Sequence, residues 1–174
     1  IGLRNSHARF RDKYLPYILP EPLLAWLQTS IGDAIIPDAG FIYRGALSGK
    51  EAFSRAVQFY AHVRQGDVQF DPRWPRLGNL YGKVLVDDGY TTVRTYTGTL
   101  YDTVLADTLV EAIPQDKGLL VTVNARAKGP AADGVRILRE TPLRETVGTT
   151  FDSWRVNQGT LATSLQLAIP LSGA

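Results

Sequence analysis

The stretch Leu-Leu-Val-Thr-Val-Asn-Ala-Arg-Ala-Lys, residues 119–128, decides the fold. From Val121 onward, apolar side chains occupy every second position, with Thr, Asn, Arg and Lys between them. Successive side chains of a strand point to opposite faces, so this alternation predicts a strand with one apolar and one polar face. Residues 56–64, 80–87 and 161–171 show the same period. The chain is therefore expected to form long antiparallel strands in a sheet with one apolar face.

Helices are expected at few places in the chain. Residues 22–30 carry apolar side chains at helical spacing after a proline, and Trp26 of this helix is expected to pack in the core against the sheet. A second helix is expected over residues 131–140, followed by a short turn through residues 143–147. These helices interrupt the sheet rather than alternate with every strand. The sequence thus predicts a mainly β fold with accessory helices, not a doubly wound α/β fold.

Glycine and proline set the expected limits of the strands. Pro37 is expected to precede a strand over residues 39–47, and Gln65 with Gly66 to turn one strand into the next. Strands over residues 90–97 and 103–113 are expected to stop at Gly98 and Pro114. The connection at Asp88-Gly89 has the sequence of a tight hairpin. Residues 151–156 are expected to be extended.

Bulk composition narrows the class of protein. The chain has 174 residues with 44% hydrophobic composition, which suits one compact domain or a piece of a larger repetitive one. It begins at Ile1 and contains no Met, so residues 1–174 are expected to be a single segment of a longer chain. A net charge of +2 with interspersed signs argues against nucleic acid as a partner. The absence of Cys excludes disulfides and thiolate metal sites, and no apolar run reaches the roughly 20 residues of a membrane span.

Residues able to support catalysis are sparse. His62 falls on the polar face of its strand, where a surface or hydrogen-bonded histidine is expected. Asp107 and Glu111 share a strand face and leave open a hydrolase with paired carboxylates. No nucleophile elbow, metalloprotease or phosphate-loop motif is present. We therefore expect no enzymatic activity, no metal and no cofactor.

Several short passages follow one another along the chain in a characteristic order: residues 14–16 with Leu27, Gly32 and residues 44–45, then residues 70–77, 129–133 and 141–144, and finally Asp152 with residues 168–171. These passages resemble the YhdP family of AsmA-like proteins, in an order and spacing that fit across nearly the whole chain. Arg73 stands where the family commonly has glycine.

The resemblance implies a segment of a long periplasmic protein that is anchored in the bacterial inner membrane through parts outside these residues. In this family, repeated β segments stack into an elongated, curved, groove-like sheet that resembles the bridge-like lipid transfer proteins of eukaryotes. The implied role is movement of phospholipid from the inner to the outer membrane. The implied partners are phospholipid acyl chains and adjoining segments of the same protein, and there are no catalytic residues to carry over.

Elementary energetics suits this role. Moving one 16-carbon chain through water costs roughly 13 kcal/mol at about 0.8 kcal/mol per CH₂, and a continuous apolar track removes most of that cost. Three alternatives stay open: an ordinary sandwich or helix-covered core, a structural or assembly module of the envelope without lipid, and the hydrolase. The helix with Leu23, Trp26 and Leu27 could cap or plug a groove, or cover one end of it. The expected groove residues are Val57, Phe59, Ala61, Val63, Val84, Val86, Val121, Val123, Ala125, Leu165, Leu167 and Ile169.

Overall fold

A computed structural model describes residues 1–13, 21–45 and 56–171 of the chain. Its eight strands form one antiparallel sheet in chain order, and the prediction of a mainly β fold with accessory helices is confirmed. The strands are β1 (Gly2–His7), β2 (Ile35–Arg44), β3 (Ala56–Val68), β4 (Leu77–Asp87), β5 (Tyr90–Leu100), β6 (Thr103–Gln115), β7 (Gly118–Pro130) and β8 (Thr160–Leu171). The helices are a 3₁₀ helix (Ala8–Lys13), α1 (Glu21–Ser30), α2 (Ala131–Glu140) and α3 (Leu143–Val147).

The described helices all lie at one end of the sheet, which we call the helical end. The 3₁₀ helix and α1 lie between β1 and β2, and α2 and α3 lie between β7 and β8. At the opposite end, β4 joins β5 and β6 joins β7 through two-residue turns. The first of these is the expected hairpin, in which Asp88 and Gly89 have left-handed φ values of 47° and 91°. The two ends of the sheet are therefore built differently.

Several strands run through residues that were expected to end them. Pro37 lies inside β2, next to a register shift that leaves this proline outside a regular ladder. Gln65 does not start a new strand, because β3 continues to Val68 past a bulge at this residue. Strands β5 and β6 likewise continue past Gly98 and Pro114. Gly98 lies within β5 at a position with no room for a side chain, because a Cβ there would lie only 2.6 Å from a methyl group of Leu80.

The segment before β8 also differs from its prediction. Residues 151–153 form a turn rather than an extended stretch, with the amide of Trp154 donating to the carbonyl of Phe151 at 3.1 Å, and residues 154–156 have no regular secondary structure. The helices at residues 131–140 and 143–147 are confirmed, and the latter ends at Gly148, whose φ is 62°. The extended passage expected over residues 14–20 and the loop expected around residues 46–50 lie outside the described residues.

A line of β-bulges runs through β3, β4 and β6. Gln65, Asn79 and Asp107 on these strands have left-handed φ values of 45–51° and are accompanied by register shifts, whereas Asn5 on β1 has a φ of 52° in a ladder of constant register. The pairing of Gly66 with Leu80 puts the bulges of β3 and β4 side by side. A bulge bends its strand and increases the local twist. The bulge line therefore favours a bend that runs across the strands rather than along them.

The prediction that Trp26 packs in the core is wrong. Its side chain is 42% exposed, and its indole nitrogen donates to the carbonyl oxygen of Phe70 at 3.0 Å. Helix α1 is tied to the end of β3 through the amide of Gly32, which donates to the carbonyl of Asp67 at 2.7 Å. The helix thus extends the helical end instead of covering a face of the sheet.

The described part of the chain has no conventional hydrophobic core. Its buried apolar residues are all alanines, and no large side chain is fully buried. The described strands form a single sheet, so this part of the chain is not a β-sandwich. Its apolar side chains therefore remain available at the surface of the sheet.

Candidate functional site

The strand register brings the expected groove residues together on one face of the sheet. Directly paired residues in neighbouring strands share a face. Phe59 pairs with Val86, and Val123 pairs with Leu167. We call this side the apolar face, and it carries all twelve expected residues: Val57, Phe59, Ala61, Val63, Val84, Val86, Val121, Val123, Ala125, Leu165, Leu167 and Ile169.

The apolar face is continuous because β5 and β6 contribute residues that the sequence prediction missed. Val93 and Val110 are paired with each other and join the two predicted halves of the face. The alternation of side chains along β5 and β6 could have identified both residues, but the many threonines of β5 make its apolar face hard to recognise in the sequence. The resulting apolar row crosses seven strands through Ala39, Ala61, Val84, Val93, Val110, Val123 and Leu167.

On β3 and β4, side chains of the apolar face are less exposed than their neighbours on the opposite, polar face, whereas Leu165 and Ile169 at the β8 edge are 39% and 42% exposed. Val84 and Val86 are half-buried, whereas Leu85 between them is 49% exposed. Phe59 is half-buried, and Tyr60 beside it is 44% exposed. The described helices make their main sheet contacts with β1, β7 and β8, so they do not cover these residues of β3 and β4. Neighbouring side chains within the face therefore contribute to this shielding.

Helix α2 covers the helical end of the apolar face. Its Gly134 lies so close to β8 that a Cβ there would come within 2.6 Å of a methyl group of Leu161. The buried carboxylate of Asp133 accepts hydrogen bonds from the Thr103 hydroxyl at 2.8 Å and the Asp102 amide at 3.0 Å. These bonds hold α2 against the turn between β5 and β6.

A second contact holds the far end of α2. The Tyr101 hydroxyl donates to a carboxylate oxygen of Glu140 at 3.0 Å, and the Arg136 guanidinium lies 3.9 Å from the centre of the tyrosine ring. Burial and the Glu140 carboxylate raise the pKa of Tyr101, whereas the hydrogen bond from Arg136 lowers the pKa of Glu140. These groups anchor the helix to the sheet.

The carboxylates and the histidine considered for catalysis do not form an arrangement typical of an active site. Asp107 lies in a bulge, and Glu111 accepts a 3.4 Å hydrogen bond from the Thr122 hydroxyl. Within the described ranges, no group of three histidine, aspartate or glutamate side chains could hold a metal ion. His62 lies at the surface with its Nδ1 2.8 Å from the Asp38 carboxylate, which confirms the prediction made for it. These contacts give no specific support to the hydrolase alternative.

Comparisons with known proteins identify the family of this chain. The family model described as YhdP protein matches residues 1–174. Searches of curated proteins and of solved structures found no significant match. Among residues 1–13, 21–45 and 56–171, no helix has the length and apolar character needed to cross a membrane. The match spans every passage that carried the resemblance, and the chain therefore belongs to the YhdP family, which is associated with lipid transport in the bacterial envelope.

Proposed function

We propose that this chain is one segment of a periplasmic, inner-membrane-anchored protein whose apolar face shelters phospholipid acyl chains on their way between the inner and outer membranes. Family membership supports a role in lipid transport at the level of the whole family. The apolar face, which the described helices leave open except at the helical end, supports a direct part for this segment in carrying lipid. The proposed role is to bind lipid and guide its movement without any covalent step. The chain is therefore proposed not to be an enzyme.

The apolar row is the observation that carries this proposal. It extends from β2 to β8, and six intervals of about 4.8 Å give a track roughly 29 Å long. An acyl chain lying along the row meets apolar side chains on successive strands. The roughly 13 kcal/mol cost of exposing a 16-carbon chain to water is then reduced all along the path.

Two further features support a concave shape for the apolar face. On β3 and β4, its side chains are less exposed than those of the polar face, which is expected where neighbouring side chains converge. The bulge line bends successive strands at adjacent positions. A sheet bent along this line forms a groove whose axis crosses the strands, parallel to the apolar row.

The open edges of the sheet fit a segment that continues into others. Strand β8 presents an edge of twelve residues, and it pairs with β7 without a register shift. An unpaired edge of this length readily accepts another strand. We propose that adjoining segments of the same protein extend the sheet, and that membrane contact is made through parts outside these residues.

The test is photo-crosslinking in cells with the full-length protein, with a light-activated residue at Val123 or at Asn124. Val123 lies on the apolar face, whereas Asn124 pairs with Gln166 on the polar face. We expect phospholipid adducts at Val123 and few at Asn124. Equal labelling would indicate general proximity to membrane and would contradict a groove. No lipid at either position in a functional protein would favour the structural or assembly module.

A further inference from the structure

A cluster of exposed cations on the polar face of the sheet has no acidic partner among the described residues. We call Arg64, Lys83, Arg94, Arg126 and Lys128, on strands β3, β4, β5 and β7, the cationic patch. All five are exposed, and in the part of the chain that the structure describes none of them forms an ion pair. The patch therefore presents its charge to solvent.

The arrangement of the patch is costly for the isolated sheet. Lys83 lies directly opposite Arg94 on the neighbouring strand. Like charges at directly paired positions destabilise a sheet. Asp107 and Glu111 lie on β6 next to this region, yet neither forms an ion pair with it. Among the described residues no ion pair offsets this repulsion, so an external anion placed between Lys83 and Arg94 would relieve it.

Aromatic side chains accompany these charges. The rings of Tyr81 and Tyr96 lie 5.3 Å apart and are 43% and 39% exposed. The Arg64 guanidinium lies 5.9 Å from the centre of the Tyr81 ring. Leu85, on the same face, is 49% exposed. Tyrosine and arginine are enriched at protein interfaces and among the residues that dominate their binding energy.

We propose that the cationic patch is a docking surface for an acidic segment of a partner protein. Carboxylates of the partner would relieve the repulsion between Lys83 and Arg94, and its apolar atoms would cover Tyr81 and Tyr96. An anionic membrane surface is the competing occupant, and adducts to lipid rather than to protein would identify it. Because the patch and the apolar face are on opposite sides of the sheet, a partner can dock while lipid occupies the groove.

The test uses the full-length protein in cells with a light-activated residue at Thr97, which is exposed and pairs with Tyr81. The variant is Lys83→Glu, which places a carboxylate opposite Arg94. We expect a protein adduct at Thr97 whose crosslinked peptide is rich in Asp and Glu, and a yield about tenfold lower in the variant because charge complementarity is lost.

The same substitution separates docking from folding. Lys83→Glu replaces a repulsive cross-strand pair with an attractive one, so its thermal midpoint is expected to equal or exceed that of the parent. A lower adduct yield in a protein of undiminished stability would support the docking surface. Adducts only to lipid, no adduct, or a protein adduct unaffected by Lys83→Glu would overturn it. Lipid labelling at Val123 provides an independent readout of the groove in the same variant.

Discussion

Placing a charge in the middle of the apolar row tests the proposed groove most directly. The substitution is Val84→Asp, and its matched control is Leu85→Asp at the next residue. Val84 is half-buried and pairs with Ala61 and Val93 on the apolar face. These paired neighbours carry no cation, so the new carboxylate gains no ion pair from them.

The expected size of the effect follows from dehydrating that carboxylate. In an empty groove, water reaches it and folding tolerates the change at a cost of about 1–2 kcal/mol. When acyl chains pass, the group loses this water, and Asp within a hydrocarbon environment costs about 2.5–3.5 kcal/mol. A barrier raised by that amount slows transfer roughly 100-fold. Leu85 is 49% exposed on the polar face, where a carboxylate stays hydrated throughout.

The assay is the rate of phospholipid transfer between the two membranes in cells that depend on the full-length variant. Thermal unfolding of the purified protein accompanies it, so that a misfolded variant is recognised. We expect transfer to slow about 100-fold for Val84→Asp and less than about twofold for Leu85→Asp. Equal slowing by both substitutions, or normal transfer by a folded Val84→Asp variant, would refute the reasoning.

Three further predictions concern the scaffold. Asp133→Ala leaves the Thr103 hydroxyl without its acceptor and should lower the free energy of unfolding by about 1–3 kcal/mol in chemical denaturation, whereas an unchanged value would contradict the anchoring of α2. Asn79→Val places a β-branched residue at a φ of 50° and should cost about 1–2 kcal/mol, with Asn79→Gly as the tolerated control in the same assay. The hydrogen bond with His7 is the main cause of a lowered pKa at Asp33, so its contribution is complete above the ordinary value of 3.8 and is lost as pH falls through the lower folded pKa. Thermal midpoints between about pH 2 and 6 should therefore fall less steeply for Asp33→Asn, and parallel pH profiles would disprove this contribution.

Local patterns were sufficient to predict much of the fold. The alternation in residues 119–128 identified β7 and its two faces, because a period of two has a direct geometric meaning in a strand. The helix expected over residues 131–140 is α2, which begins directly after Pro130, the last residue of β7. The twelve expected groove residues share one face because each lies in an alternating strand and pairing preserves the face.

Features that depend on pairing between strands were the ones missed. Gln65 and Pro37 were interpreted as breaks, but the neighbouring strands accommodate them through bulges that no single segment reveals. Val93 was missed because its strand is rich in threonine and was interpreted as polar. Trp26 was assigned to the core from its residue type, although α1 lies at the end of the sheet.

The absence of a conventional core links stability to the proposed function. In the described part of the chain, the buried apolar residues are Ala8, Ala34, Ala39 and Ala61, so the larger side chains of the apolar face are only partly buried within this segment. The sheet is held by its continuous ladder and, at the helical end, by the bonds from Asp133. The apolar surface that stays in contact with water can contribute further hydrophobic stabilisation only when another molecule covers it. A ligand that binds the folded sheet and not the unfolded chain stabilises the folded state. If lipid occupies the apolar face, the free energy of unfolding of this segment therefore increases with lipid binding.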